Sequence, residues 1–185
     1  MLHERADHQP ASLARGAFGA AGVVPGAATG VDVAGAGLAG VVGGAVMRDT
    51  ILCLYDLTGN IAKPWIEAGY KAVIVDMQHK GGVSDDGVLM RVGADIRSGW
   101  MPPRELIDRV AFVAAFPPCD HLAVSGSRWF KGKGLRKLAL SIDLFATAAE
   151  LCEWIGAPYI IENPVSTIST YWRKPDAVFH PHHFT

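Results

Sequence analysis

The chain has 185 residues, a formal net charge of −1 at pH 7 and three cysteines, and 50% of its residues are apolar. This length suits one domain with a sizeable core, and the small net charge gives no global sign of a nucleic-acid binder. The odd, irregularly spaced cysteines argue against a disulfide framework, and no apolar run reaches the roughly eighteen residues of a membrane span. We therefore expect a soluble, cytoplasmic protein that has no membrane partner.

The first part of the chain differs in composition from the rest. Residues 1–49 are mainly alanine, glycine and valine, and glycine at this density makes an ordered structure entropically costly. We expect a flexible extension over residues 1–49 and a folded domain over residues 50–185. The run that starts at Gly35 matches the G-x-G-x-x-G dinucleotide fingerprint, but it lacks a proper strand before it, and glycines interrupt the helix after it. We attribute this match to composition.

Short apolar runs alternate with helical patterns from residue 51 onward. Strands are predicted at residues 51–55, 71–75, 92–96, 111–116 and 159–161. Helices are predicted at residues 61–68, 104–109 and 135–155, and a loop is predicted at residues 78–87. The longest helix carries apolar residues at steps of three and four: Leu135, Leu138, Ile142, Phe145, Ala149, Cys152 and Ile155. The alternation predicts an α/β fold with a doubly wound, mainly parallel sheet.

Most of the predicted strands end in an acidic residue or lead into a thiol. The carboxyl ends of parallel strands lie at one edge of the sheet, where open α/β sheets bind ligands. We therefore expect five side chains to converge there: Asp56, Asp76, Asp95, Cys119 and Glu162. Plainer explanations exist for four of them, because Cys119 could be a small buried hydrophobe and the aspartates could stabilise turns, Asp95 by capping Arg97. Glu162 has no comparable structural use at a buried strand end.

Short motifs follow these strands in a fixed order. They are Asp56-Leu57-Thr58-Gly59, Asp76, Gly93-Ala94-Asp95-Ile96, Pro117-Pro118-Cys119 with Ser125-Gly126, and Glu162-Asn163. In this order, residues 51–164 resemble the DNA cytosine-5 methyltransferase family, in a compact or C-terminally shortened form such as a phage-type member. The resemblance implies a Rossmann-like methyltransferase core, incomplete at its C-terminus, that uses S-adenosylmethionine. It also implies methyl transfer to C5 of cytosine, with DNA as the partner.

The resemblance assigns roles to individual residues. Cys119 would be the nucleophile that adds to C6 of cytosine, Glu162 would hold or protonate the ring at N3, and Asn163 belongs to the same catalytic motif. The residues expected to bind S-adenosylmethionine are Asp56, Leu57, Gly59, Asp76, Asp95, Ile96 and Pro117. Asp56 and Gly59 would line its amino-acid end, Asp76 would accept from the ribose hydroxyls, and Asp95 would accept from the adenine amine. An ordinary thiol, with a pKa of about 8.5, is only a few per cent thiolate at neutral pH, so the site must activate Cys119.

A basic run without acidic residues follows the cysteine loop. The residues expected to contact DNA phosphates, or to close over an extruded base, are Ser125, Arg128, Lys131 and Lys133. A solvated loop and first helical turn would explain the same residues. The histidines of residues 180–183 have no cysteine or carboxylate at a ligand spacing, so no metal site is expected.

Some features depart from the family pattern. Asn60 and Lys63 stand where the first turn of the family has small residues, and Asp120 stands where the family has glutamine. The chain ends at Thr185, so we expect no target-recognition region in it and look to a second chain for one. The alternative hypothesis is a non-catalytic remnant or half-domain that binds S-adenosylmethionine or needs a partner chain. An adenine amino-methyltransferase is disfavoured, because Phe116 and Cys119 occupy the decisive ends of its motif.

Overall fold

The structure is a computed structural model that describes residues 47–180. The described strands are β1 Thr50–Leu54, β2 Lys71–Val75, β3 Val83–Asp85, β4 Leu89–Val92, β5 Val110–Ala115 and β6 Tyr159–Ile161. The described α-helices are α1 Lys63–Glu67, α2 Arg104–Ile107, α3 Phe130–Lys133, α4 Leu135–Ile155 and α5 Ile168–Tyr171, and 3-10 helices occur at Ile96–Ser98 and Val124–Trp129. The predicted flexible extension, apart from residues 47–49, lies outside the described residues, as do the Gly35 run and residues 181–185.

The strands form one sheet in the order β3-β4-β2-β1-β5-β6. All neighbours pair in parallel except β3, which is antiparallel to β4. The predicted α/β class and the mainly parallel sheet are therefore confirmed. Because β1 pairs with β2 on one side and β5 on the other, the strand order reverses at β1, and such a switch point leaves a crevice at the carboxyl edge.

Both faces of the sheet are covered. β1 is buried along its whole length, as expected for a continuous apolar run between two layers. One face packs Leu52, Leu54, Val73 and Val75 against the second half of α4. The opposite face packs Ile51, Cys53 and Ile74 against Trp65 and Ile66 of α1. The sheet is thus packed on one face by α4 and on the other by α1.

The prediction was wrong around the third parallel strand. This strand is β4 and ends at Val92, and the segment predicted as a loop contains β3, which is fully exposed. Directly beyond the last β3–β4 pair, the N–H of Gly93 donates to the carbonyl of Gly82 at 2.6 Å. A Cβ at Gly93 would overlap the carbonyl oxygen of His79. An edge strand with a polar, exposed sequence has no apolar alternation by which it could be predicted.

The bounds of α4 were predicted correctly, and its apolar face only in part. Gly156 ends the helix at φ +69°, and its N–H donates to the carbonyl of Cys152 at 3.2 Å. Phe145 and Ile155 are buried as predicted, but Leu135 is 83% exposed and Ile142 is 37% exposed. Helical spacing predicts which side chains share a face, whereas burial depends on a neighbour that covers it. Leu135, in the first turn of α4, has no such cover among the described residues.

α1 and α2 begin and end within two residues of their predicted bounds, whereas α3 and α5 were not predicted. α1 carries Pro64 in its first turn, where a missing N–H is tolerated. Among the helices of residues 47–180, none has both the length and the apolar composition that crossing a bilayer requires. At the amino edge of the sheet, Arg109 pairs with Asp49 through two hydrogen bonds of 3.0 and 2.6 Å, which closes that edge.

Candidate functional site

The residues that follow the strands are neighbours along the carboxyl edge. The N–H of Phe116 donates to the carbonyl of Leu54 at 3.1 Å, and the N–H of Glu162 donates to the carbonyl of Ala115 at 3.0 Å. These bonds join the end of β5 to the ends of β1 and β6. The N–H of Asp76 reaches the carbonyl of Val92 at 3.1 Å in the same way. Parallel pairing therefore brings the predicted site residues to one edge.

Asp56 is a buried carboxylate in the turn after β1. Its Oδ1 accepts from the N–H groups of Thr58 at 3.0 Å and Gly59 at 2.8 Å. Its Oδ2 is buried and has no hydrogen-bond partner within residues 47–180. The preceding residue, Tyr55, has φ +60°, and its hydroxyl donates to the carbonyl of Leu144 at 2.9 Å, which helps to hold this strained turn. A buried, unpaired carboxylate oxygen is an acceptor available to a ligand.

Asp76 is the second buried carboxylate, directly after β2. Its Oδ1 accepts from the N–H of Gln78 at 2.8 Å. His79 lies in the same turn, and its Nε2 is 3.0 Å from the carbonyl oxygen of Asp56. His79 thus connects the turns after β1 and β2. The sequence analysis did not predict His79 as a site residue. Its imidazole stands three residues after Asp76, at the end of a strand, and this position could have indicated it.

The remaining predicted cofactor residues have different environments. The carboxylate of Asp95 caps the 3-10 helix by accepting from the N–H of Arg97 at 3.0 Å, and it pairs with that guanidinium at 3.1 Å. Ile96 is buried in the core, whereas Leu57 is 44% exposed. Gly59 is buried and has φ +71°, a conformation that favours glycine. The capping explanation of Asp95 is therefore an observed contact, and a cofactor role for it stays a prediction.

Cys119 lies in a turn between β5 and the 3-10 helix Val124–Trp129. Its carbonyl accepts from the N–H groups of Leu122 at 2.9 Å and Ala123 at 3.0 Å, which shapes the turn. Leu122 is buried beside Phe145 of α4 and anchors the loop in the core. Pro117, two residues before the cysteine, is also buried. The half-buried thiol is therefore held by an anchored loop.

The surroundings of Cys119 disfavour its thiolate in the free protein. Burial raises the pKa of the thiol, and the negative charges of Glu162 and Asp120 raise it further. The other two cysteines, Cys53 and Cys152, are buried in the core, and burial raises the pKa of each to about 12. Cys119 is thus the only partly exposed cysteine of the chain, and it needs activation before it can act as a nucleophile.

Glu162 and Asn163 form the turn after β6. Glu162 is half-buried, and its carboxylate has no hydrogen bond or ion pair with any described side chain. The Nδ2 of Asn163 donates to the Oγ of Ser166 at 2.7 Å and to the carbonyl of Pro164 at 2.9 Å. Its Oδ1 is buried without a partner in the described part of the chain. Asn163 therefore fixes the turn, while the Glu162 carboxylate stays available.

The predicted DNA-contacting residues lie on the segment that follows the cysteine loop. Ser125 and Arg128 are exposed on the 3-10 helix, and the Arg128 guanidinium lies 5.0 Å from the centre of the Trp129 ring. Lys131 and Lys133 lie on α3, and the Lys133 ammonium donates to the carbonyl of Asp120. This contact joins the basic segment to the cysteine loop.

Cys119 and Glu162 are thus close enough to interact electrostatically, and Asp56 and Asp76 share a connected pair of turns. Comparisons of the chain with protein-family models, with curated proteins and with solved structures found no match. The function must therefore be argued from the geometry and chemistry of this edge.

Proposed function

We propose that the chain transfers a methyl group from S-adenosylmethionine to C5 of cytosine in DNA, on a Rossmann-like methyltransferase core. This proposal is based mainly on one observation. The thiol of Cys119 and the carboxylate of Glu162 lie after the carboxyl ends of β5 and β6, which are neighbouring parallel strands. Both groups are half-buried, and the charge of Glu162 acts on the thiol. A nucleophile next to an acid is the pair that addition to a pyrimidine ring requires.

The turns after β1 and β2 suit the cofactor. Asp56 offers the buried, unpaired Oδ2 as an acceptor for an ammonium group, and Gly59 keeps the turn compact. Asp76 would accept from ribose hydroxyls, while Asp95 would have to exchange contact with Arg97 for contact with an adenine amine. The bound cofactor would supply an electrophilic methyl group. The orphaned oxygen of Asp56 supports this assignment most directly.

Cys119 would carry the covalent step. Its sulfur bonds to C6 of cytosine, the C5–C6 double bond opens, and the electron pair moves toward C5 and the N3 side of the ring. C5 would then be nucleophilic enough to take the methyl group, whose bond to the sulfonium sulfur of S-adenosylmethionine breaks and leaves a neutral thioether. The C5 proton would pass to a water molecule acting as base, and departure of the Cys119 thiolate would restore the C5–C6 double bond. The two prolines before Cys119 aim the thiol without an N–H that needs a partner.

Glu162 would manage the proton that this step needs. A protonated Glu162 donates to N3 of the ring and offsets the charge that develops as sulfur adds. Protonation also removes one of the two negative charges that raise the pKa of the Cys119 thiol. The proton that Cys119 loses as it adds to the ring would thus pass to the Glu162 carboxylate and on to N3.

A covalent trap tests this function. We expect DNA that carries 5-fluorocytosine to form a stable adduct with the chain when S-adenosylmethionine is present, because fluorine at C5 cannot leave as a proton does. Mass spectrometry of the digested complex should locate the adduct on Cys119. The Cys119→Ala variant should give none, and the Cys53→Ala variant should form the adduct as the unmodified chain does. Absence of the adduct when both DNA and S-adenosylmethionine bind would contradict the proposal.

A second candidate is a domain that binds S-adenosylmethionine without turnover, or that needs a partner chain for activity and target recognition. The raised pKa of Cys119 favours this candidate, because burial and then the charges of Glu162 and Asp120 oppose the thiolate. Asp120 is exposed and next to the cysteine, so it would also repel DNA phosphates. Binding of radiolabelled S-adenosylmethionine together with a negative trapping experiment would support this candidate over the first.

A further inference from the structure

A cavity of about 320 Å³ lies between the cysteine loop and the first turns of α4. Its walls come from Phe130 of α3 and from Leu135 and Leu138 of α4. This volume is near the lower end for ligand pockets, which start at roughly 300 Å³. It also explains the exposed start of α4, since Leu135 borders an open space there. The cavity therefore has the size for a small, flat group.

The polar groups around this cavity are basic or unpaired. Lys131 and Lys133 line it, and Lys133 uses one of its donors on the carbonyl of Asp120. His121 also lines it, and the Nδ1 of that ring is buried with no hydrogen-bond partner among the described residues. No acidic side chain is among the lining residues. Apolar walls with two cations suit a ligand that combines an apolar ring with an anionic group.

The geometry points to a binding site for one nucleotide of a single DNA strand. Its base would lie against Phe130 and Leu138, and its phosphate would be held by Lys131 and Lys133. The lining residues indicate a ligand that has an apolar ring and an anionic group. That this ligand is a nucleotide of DNA rests on the proposed function. A shift of the cysteine loop toward the bound base would give the unpaired Nδ1 of His121 a hydrogen-bond partner.

The base in this cavity is not the base that would be methylated. Neither Cys119 nor Glu162 lines the cavity. The same loop nevertheless serves both places, because Cys119 and His121 are separated by one residue. Lys133 holds the carbonyl of Asp120 with one donor and can bind a phosphate with the other two, so it would link the bound nucleotide to this loop. Occupancy by a flanking nucleotide would therefore affect the loop that carries the nucleophile.

Binding of a fluorescein-labelled oligothymidylate to the full chain, followed by anisotropy, tests this site. Such DNA has no cytosine, so binding does not depend on methyl transfer. We expect Leu138→Trp, which fills the cavity, to weaken binding by at least about fivefold, since stacking of one base contributes that much or more. Lys131→Gln should weaken binding by a similar factor and should make it less dependent on salt. Lys71→Gln, an exposed lysine at the opposite edge of the sheet, is the matched control and should bind normally.

The outcomes separate this inference from the proposed function. Circular dichroism should show that Leu138→Trp is folded, and Leu135→Asn, a change at an exposed residue of the same cavity wall, takes its place if it is not. No binding by the unmodified chain would overturn the inference. A loss with Lys131→Gln together with normal binding by a folded Leu138→Trp would also overturn it, because the lysines would then be a surface patch only. Binding that depends on Leu138 in a chain that forms no 5-fluorocytosine adduct would support the inference and reject the methyltransferase.

Discussion

The two sides of the carboxyl edge are built differently. On the side of β1 and β2, the carboxylates of Asp56 and Asp76 are buried, and each accepts from backbone N–H groups of its own turn. On the side of β5 and β6, Cys119 and Glu162 are half-buried, and the Glu162 carboxylate is unpaired within residues 47–180. The first side holds fixed acceptors, and the second holds groups whose protonation can change.

This difference corresponds to the two tasks in the proposed function. A binding site benefits from acceptors that are positioned before the ligand arrives, because ordering them on binding would cost affinity. A reacting pair instead needs protons that can move, which hydrogen bonds to fixed backbone groups would oppose. The following predictions test whether the two sides separate binding from chemistry, beginning with the largest expected effect.

Glu162→Gln should lower the rate of methyl transfer by about 10²–10⁴-fold, the range typical for loss of a general acid. Binding of S-adenosylmethionine should change little, because Glu162 lies on the reaction side. Single-turnover transfer from labelled cofactor and equilibrium binding provide the two measurements. Glu153→Gln, an exposed change on α4, is the control. Equal losses in transfer and cofactor binding would mean that the two sides do not divide the tasks.

Gly93→Ala should lower the free energy of unfolding by about 1–3 kcal/mol, because the added Cβ overlaps the carbonyl oxygen of His79. The displaced turn also carries His79, which contacts Asp56, so cofactor binding should weaken too. Gly126→Ala is the matched control, since a Cβ there meets nothing within 4 Å. Urea unfolding measures the difference. Equal stability of the two variants would show that the close approach at Gly93 relaxes easily.

Asp56→Asn should weaken S-adenosylmethionine binding by about tenfold, because it removes the charge while leaving an Oδ1 that still accepts from Gly59. Its unfolding free energy should stay within about 1 kcal/mol of the original, whereas Asp56→Ala should lose about 1–3 kcal/mol through the unpaired N–H groups. Calorimetric titration and urea unfolding distinguish the two effects. Unchanged affinity in Asp56→Asn would remove the unpaired Oδ2 as a ligand contact.

Asp120→Asn should move the pH profile of Cys119 alkylation to lower pH. Removing a negative charge near the thiol lowers its pKa, so the thiolate fraction at neutral pH rises and iodoacetamide reacts faster. The effect should shrink in high salt, because Asp120 is exposed. Asp176→Asn serves as a remote control, and the buried Cys53 and Cys152 should not react in the folded chain. A profile shifted to higher pH would show that another group governs the thiol.

Much of the fold was predictable from local patterns. The runs of β1, β2 and β5 are apolar and short, and α4 has its periodic side chains and a terminal glycine, so these elements were predicted within about a residue of their bounds. β3 was not predicted, because its residues are exposed and an edge strand needs no apolar pattern. The predicted apolar face of α4 includes Leu135, but burial of that side chain needs a covering neighbour, and the described residues provide none.

The candidate site was predictable in part as well. The residues after each strand could be predicted as site residues, because the carboxyl ends of parallel strands lie at one edge of the sheet. This prediction needs only the order of strands and helices and no knowledge of side-chain contacts. The capping of Arg97 by Asp95 was foreseen as an alternative, since both residues are close in the chain. The position of His79 after Asp76 indicated a site residue, but its contact with Asp56 joins two turns that are distant in sequence and could not be predicted. The cavity beside His121 depends on the packing of α4, which no local pattern indicated.

The amino-acid sequence by itself determined the alternation of strands and helices and the order of the Asp56, Asp76, Cys119 and Glu162 motifs. These features depend on apolar periodicity and on residue type, which are local properties of the chain. The tertiary structure decided which of these side chains are neighbours, which oxygens remain unpaired and how burial with two carboxylates raises the pKa of Cys119. Such properties depend on distance and dielectric surroundings, and these exist only after the strands have paired.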